Sequence, residues 1–129
     1  MVKLISILGS TGSIGLSTLN IINKKKKLFK INLLSANKNF SQICYQIKKY
    51  RPTYFVITDK KIFLKIKKKF KKSKTQFKND FKKIDKIKKS YITVSAIPGI
   101  AGLLPTVTFI RISKKILIAN KESIICGWN

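Results

Sequence analysis

The chain has 129 residues, enough for one domain that buries about two-thirds of the surface its unfolded form exposes. Its net charge is +25, yet Arg51 and Arg111 are its only arginines, and arginine is the better bidentate reader of phosphates and base edges. The lysine excess is therefore read as a solvated surface in an A/T-rich coding background, without a specific nucleic-acid partner. No histidine accompanies Cys44 and Cys126, which excludes a metal site by ligand type and spacing and leaves two reduced thiols. Neither a signal peptide nor an apolar run long enough to span a bilayer is present, so the expected location is cytoplasmic, away from membranes.

Lys3 to Leu8 is predicted as a buried strand, since four of its six residues are Leu or Ile. It ends in Gly9-Ser10-Thr11-Gly12-Ser13-Ile14-Gly15, inside an uncharged run from Leu4 to Thr18. A G-x-x-G-x-x-G turn between strand and helix is a variant of the dinucleotide fingerprint. Gly9 permits the turn, Gly12 lets a pyrophosphate approach the backbone, and Gly15 lets helix pack on strand. The first helical turn adds free N–H groups and a partial positive charge, and Thr11 and Ser13 add hydroxyls. A P-loop is excluded because no lysine follows the last glycine.

The first helix is expected from Ser13 to about Lys24, with Ile14, Leu19, Ile21 and Ile22 toward the sheet. A second strand spans Phe29 to Leu34. Asn39, with Gln42 three residues on, is predicted to cap a helix that runs through Tyr50 and stops at Arg51-Pro52. An NAD site places an acid after the second strand, where this chain reads Ser35-Ala36-Asn37-Lys38-Asn39. The lysine there suits a 2′-phosphate, so NADP is the expected cofactor. Tyr45 and Lys49 copy the tyrosine–lysine spacing of short-chain dehydrogenases but lie on the second helix, too early in the fold for that chemistry.

Tyr54 to Thr58 is predicted as a third strand, and Lys60 to Lys72 as a helix with Phe63, Ile66 and Phe70 on one face. Ser73 to Ser90 reads as one more amphipathic helix or a loosely ordered insertion. Tyr91 to Ile97 gives a fourth strand, Leu103 to Ile112 a helix, and Ile116 to Ala119 a fifth strand. Alternating strands and helices imply a Rossmann-like, doubly wound α/β fold. Its sheet is mainly parallel, helices cover both faces, and the ligand sits at the strands' carboxyl ends. Asn120-Lys121-Glu122-Ser123 falls at that edge. Glu122 either binds sugar hydroxyls or orients Lys121, or simply opens another helix.

With GSTGSIG, ANKN at 36–39, GIAGLLPT at 99–106 and ILIANKES at 116–123 in order, the chain resembles 1-deoxy-D-xylulose 5-phosphate reductoisomerases. The resemblance implies an NADPH-dependent rearrangement and reduction of deoxyxylulose phosphate to methylerythritol phosphate in non-mevalonate isoprenoid synthesis, with Mg or Mn, in a homodimer. It further implies that Thr11, Gly12, Ser13 and Ile14 contact the pyrophosphate. Asn37, Lys38 and Asn39 would contact the adenosine end, Asn120 and Glu122 would make further cofactor contacts, and Lys121 would bind substrate. Asn37 stands where the family commonly has glycine, and asparagine tolerates a positive φ. Pro98 and Ile100 are further departures. The family's metal-binding acids and its catalytic and C-terminal helical domains follow the Asn-Lys-Glu-Ser motif, so residues 1–129 are expected to be an incomplete NADPH-binding domain, inactive alone. The competing expectation is a basic nucleotide or nucleic-acid binding module on a Rossmann-like core.

Overall fold

A computed structural model of the chain describes residues 2–82, 89–97, 105 and 113–118. Its elements are β1 (Lys3–Leu8), α1 (Ser13–Asn23), β2 (Phe29–Ala36), α2 (Phe40–Tyr50), β3 (Tyr54–Ile57), α3 (Lys60–Lys69), β4 (Gln76–Lys78), β5 (Ser90–Ser95) and β6 (Ser113–Ile118). All five strand pairings are parallel, and the strands lie in the order β4-β3-β2-β1-β5-β6. This is the Rossmann-like α/β arrangement expected from the strand–helix alternation.

The order dictates the layers. From β1 to β4 each strand is added on the same side of its predecessor, so right-handed crossovers carry α1, α2 and α3 over one face. The buried cluster there joins Leu19 and Ile22 of α1, Ile43 and Ile47 of α2, and Ile66 of α3 to Ile5, Ile7, Phe55 and Ile57 of the sheet. The chain then passes to the far side of β1 to form β5. Leu8, Leu33 and Val56 form a second buried cluster with Phe81, Ile97 and Ile116 packed on it. The helix expected over Leu103 to Ile112 lies outside the described residues.

In α1, Leu19 and Ile22 face inward as expected, but Ile14 and Ile21 are 46% and 59% exposed. The third buried residue of this helix is Gly15, and the i, i+4, i+7 series 15, 19, 22 defines the inner face. Gly15 sets the rotation because a Cβ there would stand 2.2 Å from the Gly9 carbonyl oxygen. Ile14 and Ile21 are thereby turned outward.

The helix ends also follow from local chemistry. Asn39 Oδ1 accepts from Gln42 N–H at 3.2 Å, and Asp59 Oδ2 accepts from Ile62 N–H at 3.0 Å, so α2 and α3 each have a side-chain cap. α2 stops at Arg51 as expected, but through a left-handed residue (φ 45°, ψ 56°) whose N–H returns to the Ile47 carbonyl. α3 ends at Lys69, shorter than the predicted helix to Lys72.

The segment after Ser73 holds a strand that sequence patterning did not predict. Gln76–Lys78 pairs with β3, anchored where Thr75 Oγ1 donates to the Pro52 carbonyl at 2.7 Å and Gln76 N–H donates to Thr53 O at 2.9 Å. Three residues with a single apolar side chain, Phe77, show no usable alternation, and β3 supplies the order. The register of β1 on β2 shifts between Ile5 and Ser6, leaving Asn32 as the extra residue. Asn32 is buried and donates from Nδ2 to Ser90 Oγ at 3.1 Å, and Ser90 Oγ also bonds Ser6 Oγ, so the bulge's amide is satisfied inside the sheet.

Every described lysine is exposed except the half-buried Lys78, which fits the reading of the charge as solvated surface. Cys44 is a buried free thiol, and Cys126 lies outside the described residues. No helix among the described residues is long and apolar enough to cross a membrane.

Two stability measurements check this architecture. Ile66 is the one fully buried residue of α3, so Ile66→Ala should lower the unfolding free energy in urea by about 2–5 kcal/mol. Arg51→Gly should raise it by about 1 kcal/mol, because glycine adopts the left-handed cap without the Cβ clash.

Candidate functional site

Where the strand order reverses, between β1 and β5, a parallel sheet opens a crevice at its carboxyl edge. A cleft of about 460 Å³ lies there, lined from β1 onward by Gly9, Thr11 and Gly12, from the end of β2 by Ser35, Ala36 and Asn37, and from later segments by Thr58, Phe81, Ala96 and Ile97. None of these ten residues is charged, although the chain as a whole carries +25.

The glycine loop is held from two sides. The Ser35 carbonyl accepts from Gly9 N–H at 3.1 Å and Ser10 N–H at 2.8 Å, and Ser35 Oγ accepts from Gly9 N–H at 3.0 Å. On the other side Ser10 Oγ donates to Gln46 Oε1 at 2.7 Å while Gln46 Nε2 donates to the Ser10 carbonyl at 3.0 Å. Ser10 and Gln46 are both fully buried, so this reciprocal pair locks the loop to α2 in a low-dielectric setting where each bond is strong.

The three glycines differ in what they answer to. Gly9 has φ 82°, and a Cβ on it would meet the Ala96 carbonyl oxygen at 2.9 Å, so the turn itself requires glycine. Gly15 is required by contact with Gly9 and Ser10. Gly12 has an extended backbone (φ −79°, ψ 173°), and the nearest atom to its ideal Cβ is Gly9 O at 3.9 Å. Nothing among the described residues requires glycine at position 12, and Gly12 lines the cleft.

Gly12 also serves as the N-cap of α1 and supplies no side-chain hydrogen bond, in contrast to Asn39 and Asp59 on the other two helices. The N–H groups of the first turn, Ser13, Ile14 and Gly15, thus lack a side-chain cap and carry the positive end of the helix dipole. Among the described residues the hydroxyls of Thr11 and Ser13 have no protein partner. This arrangement suits the two negative charges of a pyrophosphate.

The expected site residues are placed unevenly. Thr11, Gly12 and Asn37 line the cleft, and Ser13, Ile14, Lys38 and Asn39 stand beside it in sequence without lining it. Asn37 does not use the positive φ allowed for it; its side chain instead accepts at Oδ1 from Thr58 Oγ1 at 3.1 Å. Lys38 is exposed, and Asn39 Oδ1 is engaged by Gln42 N–H and by Ser41 Oγ at 3.3 Å as the cap of α2. Asn120, Lys121 and Glu122, with Pro98 and Ile100, lie outside the described residues.

Thr58, Phe81, Ala96 and Ile97 line the cleft without having been singled out from sequence. The rule that ligands sit at strand carboxyl ends, applied to β3 and β5 as well as to β1 and β2, finds Thr58, Ala96 and Ile97. Phe81 carries no such signal. Tyr45 and Lys49 do meet, with Lys49 Nζ donating to the phenol oxygen at 2.9 Å, a bond that raises the lysine's pKa. They do so on the exposed side of α2 and are absent from the cleft lining.

Among the described residues no three His, Cys, Asp or Glu side chains come together. Asp59 caps α3, and Asp80 Oδ1 accepts from Lys82 N–H. This donor set does not fit a divalent cation, which requires several oxygen ligands around one point.

Comparison with known proteins agrees with the geometry. The chain is 45% identical to the 1-deoxy-D-xylulose 5-phosphate reductoisomerase of Pelagibacter ubique over 98% of its length. It is 47% identical over 97% to that of Buchnera aphidicola from Schizaphis graminum. It spans about a third of these relatives, 34% and 33%. Among solved structures, the Zymomonas mobilis reductoisomerase in complex with NADPH superposes with a TM-score of 0.88 at 29% identity, over 97% of this chain and 34% of that one. A reductoisomerase complex with NADPH, fosmidomycin and magnesium gives 0.87 at 27% identity, over 96% and 31%. The sequence pattern of 1-deoxy-D-xylulose 5-phosphate reductoisomerase matches residues 5–127, and the chain belongs to that family.

Proposed function

We propose that this chain is the cofactor-binding part of an enzyme that rearranges 1-deoxy-D-xylulose 5-phosphate and reduces it with NADPH to 2-C-methyl-D-erythritol 4-phosphate. The observation that carries the cofactor assignment is Gly12, a glycine that the fold does not require, beside an uncapped helix start and an uncharged cleft. NADPH, when bound, supplies the hydride.

The chain's own residues bind and orient it. The N–H groups of Ser13, Ile14 and Gly15 and the hydroxyls of Thr11 and Ser13 face the pyrophosphate, and Gly12 leaves room for it. Asn37 and Lys38, at the end of β2, address the adenosine ribose, with the lysine at a 2′-phosphate and Asn39 fixing the start of α2 behind them. Asn120 and Glu122, which follow β6 in sequence, add cofactor contacts and Lys121 a substrate contact. No step through a metal is derived, because the described residues do not fit one. The basic nucleic-acid module is the weaker reading: family membership accounts for the motifs, and the described residues that line the cleft are uncharged.

Isothermal titration of the chain should show NADPH binding, accompanied by a higher melting temperature. Gly12→Ala should weaken that binding at least about tenfold, since the added methyl occupies the ligand's approach, while costing under about 1 kcal/mol of stability. Gly15→Ala should lower stability by about 1–3 kcal/mol or more, because the methyl meets backbone atoms of Gly9 and Ser10. Equal effects of the two substitutions on melting temperature, with binding preserved in Gly12→Ala, would overturn the assignment.

A further inference from the structure

We infer that Asn37, oriented by Thr58, is a specificity-determining residue that selects a 2′-phosphorylated dinucleotide by presenting an amide donor at the adenosine end of the cleft. This rests on the dinucleotide reading of the cleft and adds the group that discriminates.

The geometry begins with the turn after β2. Thr58 N–H donates to the Ala36 carbonyl at 3.0 Å, which continues the β2·β3 ladder one residue past β3 and places the Thr58 side chain beside Asn37. Its hydroxyl donates to Asn37 Oδ1 at 3.1 Å, with a longer approach of 3.4 Å to the Ala36 carbonyl. Thr58 is itself braced from below: Asn79 Nδ2 donates to the Ile57 carbonyl at 2.8 Å and approaches that of Thr58 at 3.4 Å. Both Asn37 and Thr58 line the cleft.

With Oδ1 accepting from Thr58, the NH₂ group of the Asn37 amide is turned away from Thr58. Among the described residues that NH₂ has no protein partner. A donor at this place makes a charge-assisted bond to a phosphate, roughly twice as strong as the neutral bond it could make to a ribose hydroxyl, whereas a carboxylate there would accept from the hydroxyl and repel the phosphate. Asp59, the acid next to Thr58 in sequence, is directed to the start of α3, where its Oδ2 accepts from Ile62 N–H. Lys38 supplies charge at the same turn but is an exposed, flexible point cation; Asn37 supplies direction.

Thr58 is a positioning residue, acting only through Asn37. Thr58→Val keeps the shape and the backbone bond to Ala36 but removes the hydroxyl, so the amide is free to rotate. Thr58→Ser restores the hydroxyl.

The test is isothermal titration of the chain and its variants with NADPH and with NADH. Asn37→Asp should lower NADPH affinity at least about tenfold, as a charge-assisted hydrogen bond is replaced by repulsion, and change NADH affinity less than about threefold or improve it. Asn37→Ala, which introduces no charge, should lower the NADPH preference in the same direction and gives the same reading if the aspartate variant does not fold. Thr58→Val should reduce the NADPH-over-NADH ratio several-fold and Thr58→Ser should return it to the parent value. A ratio unchanged in Asn37→Asp and Asn37→Ala, or equal losses for both cofactors in Thr58→Val without rescue by serine, would overturn the proposal while leaving the cofactor site intact. Failure of the parent chain to bind either cofactor would overturn the underlying reading of the cleft as well.

Discussion

The contact between Gly15 and the Gly9 carbonyl is the constraint on which the rest of the site depends. Any side chain at position 15 would collide with backbone, so the first turn of α1 rests directly on the end of β1. That contact fixes the rotation of α1, which puts Leu19 and Ile22 in the core and leaves Ile14 at the surface beside the loop. It also holds the first free N–H groups of the helix a short distance from the carboxyl edge of the sheet. The Ser35 and Gln46 bonds then prevent the loop from relaxing away. The loop is fixed in this way by packing and neutral hydrogen bonds, and no described residue of the cleft lining is charged.

The distribution of charge supports a division of labour. Lysines cover the solvated surface, where they create a broad positive potential that attracts any anion from a distance. Such a field has little power to choose among anions. Selection falls to the cleft, whose lining is small, polar or apolar. The uncharged lining among the described residues suits a dinucleotide, since adenine and nicotinamide pack on apolar walls while a pyrophosphate can be met by backbone N–H groups.

Much of this was legible in the residues and some was not, for identifiable reasons. β1, the glycine turn and the Asn39 cap announce themselves because each depends on local chemistry: an apolar run that stops at glycine, a spacing, a side chain that reaches three residues along. Hydrophobicity alone turns Ile14 and Ile21 of α1 inward, whereas the residue that decides the rotation, Gly15, has no side chain to signal it. β4 was missed since Gln76–Lys78 is ordered by pairing with β3, a long-range interaction that a three-residue window cannot carry. Asn37 was expected to matter through its backbone. Its side chain accepts a hydrogen bond from Thr58, which is remote in sequence and joined to it only when β3 pairs with β2.

A fold explains most of its own residues, and those it leaves unexplained mark function. Gly9 and Gly15 are required by the turn and the packing, Ser35 and Gln46 by the loop, and Asn32 by the bulge. Gly12, the uncapped first turn of α1 and the outward NH₂ of Asn37 answer to nothing among the described residues, and a side-chain cap at 12 would stabilise the helix. All three lie along one edge of the sheet, running from the loop after β1 to the turn after β2, the direction an extended dinucleotide takes from its pyrophosphate to its adenosine. Their alignment connects the family's cofactor to this chain's own geometry, independently of sequence similarity.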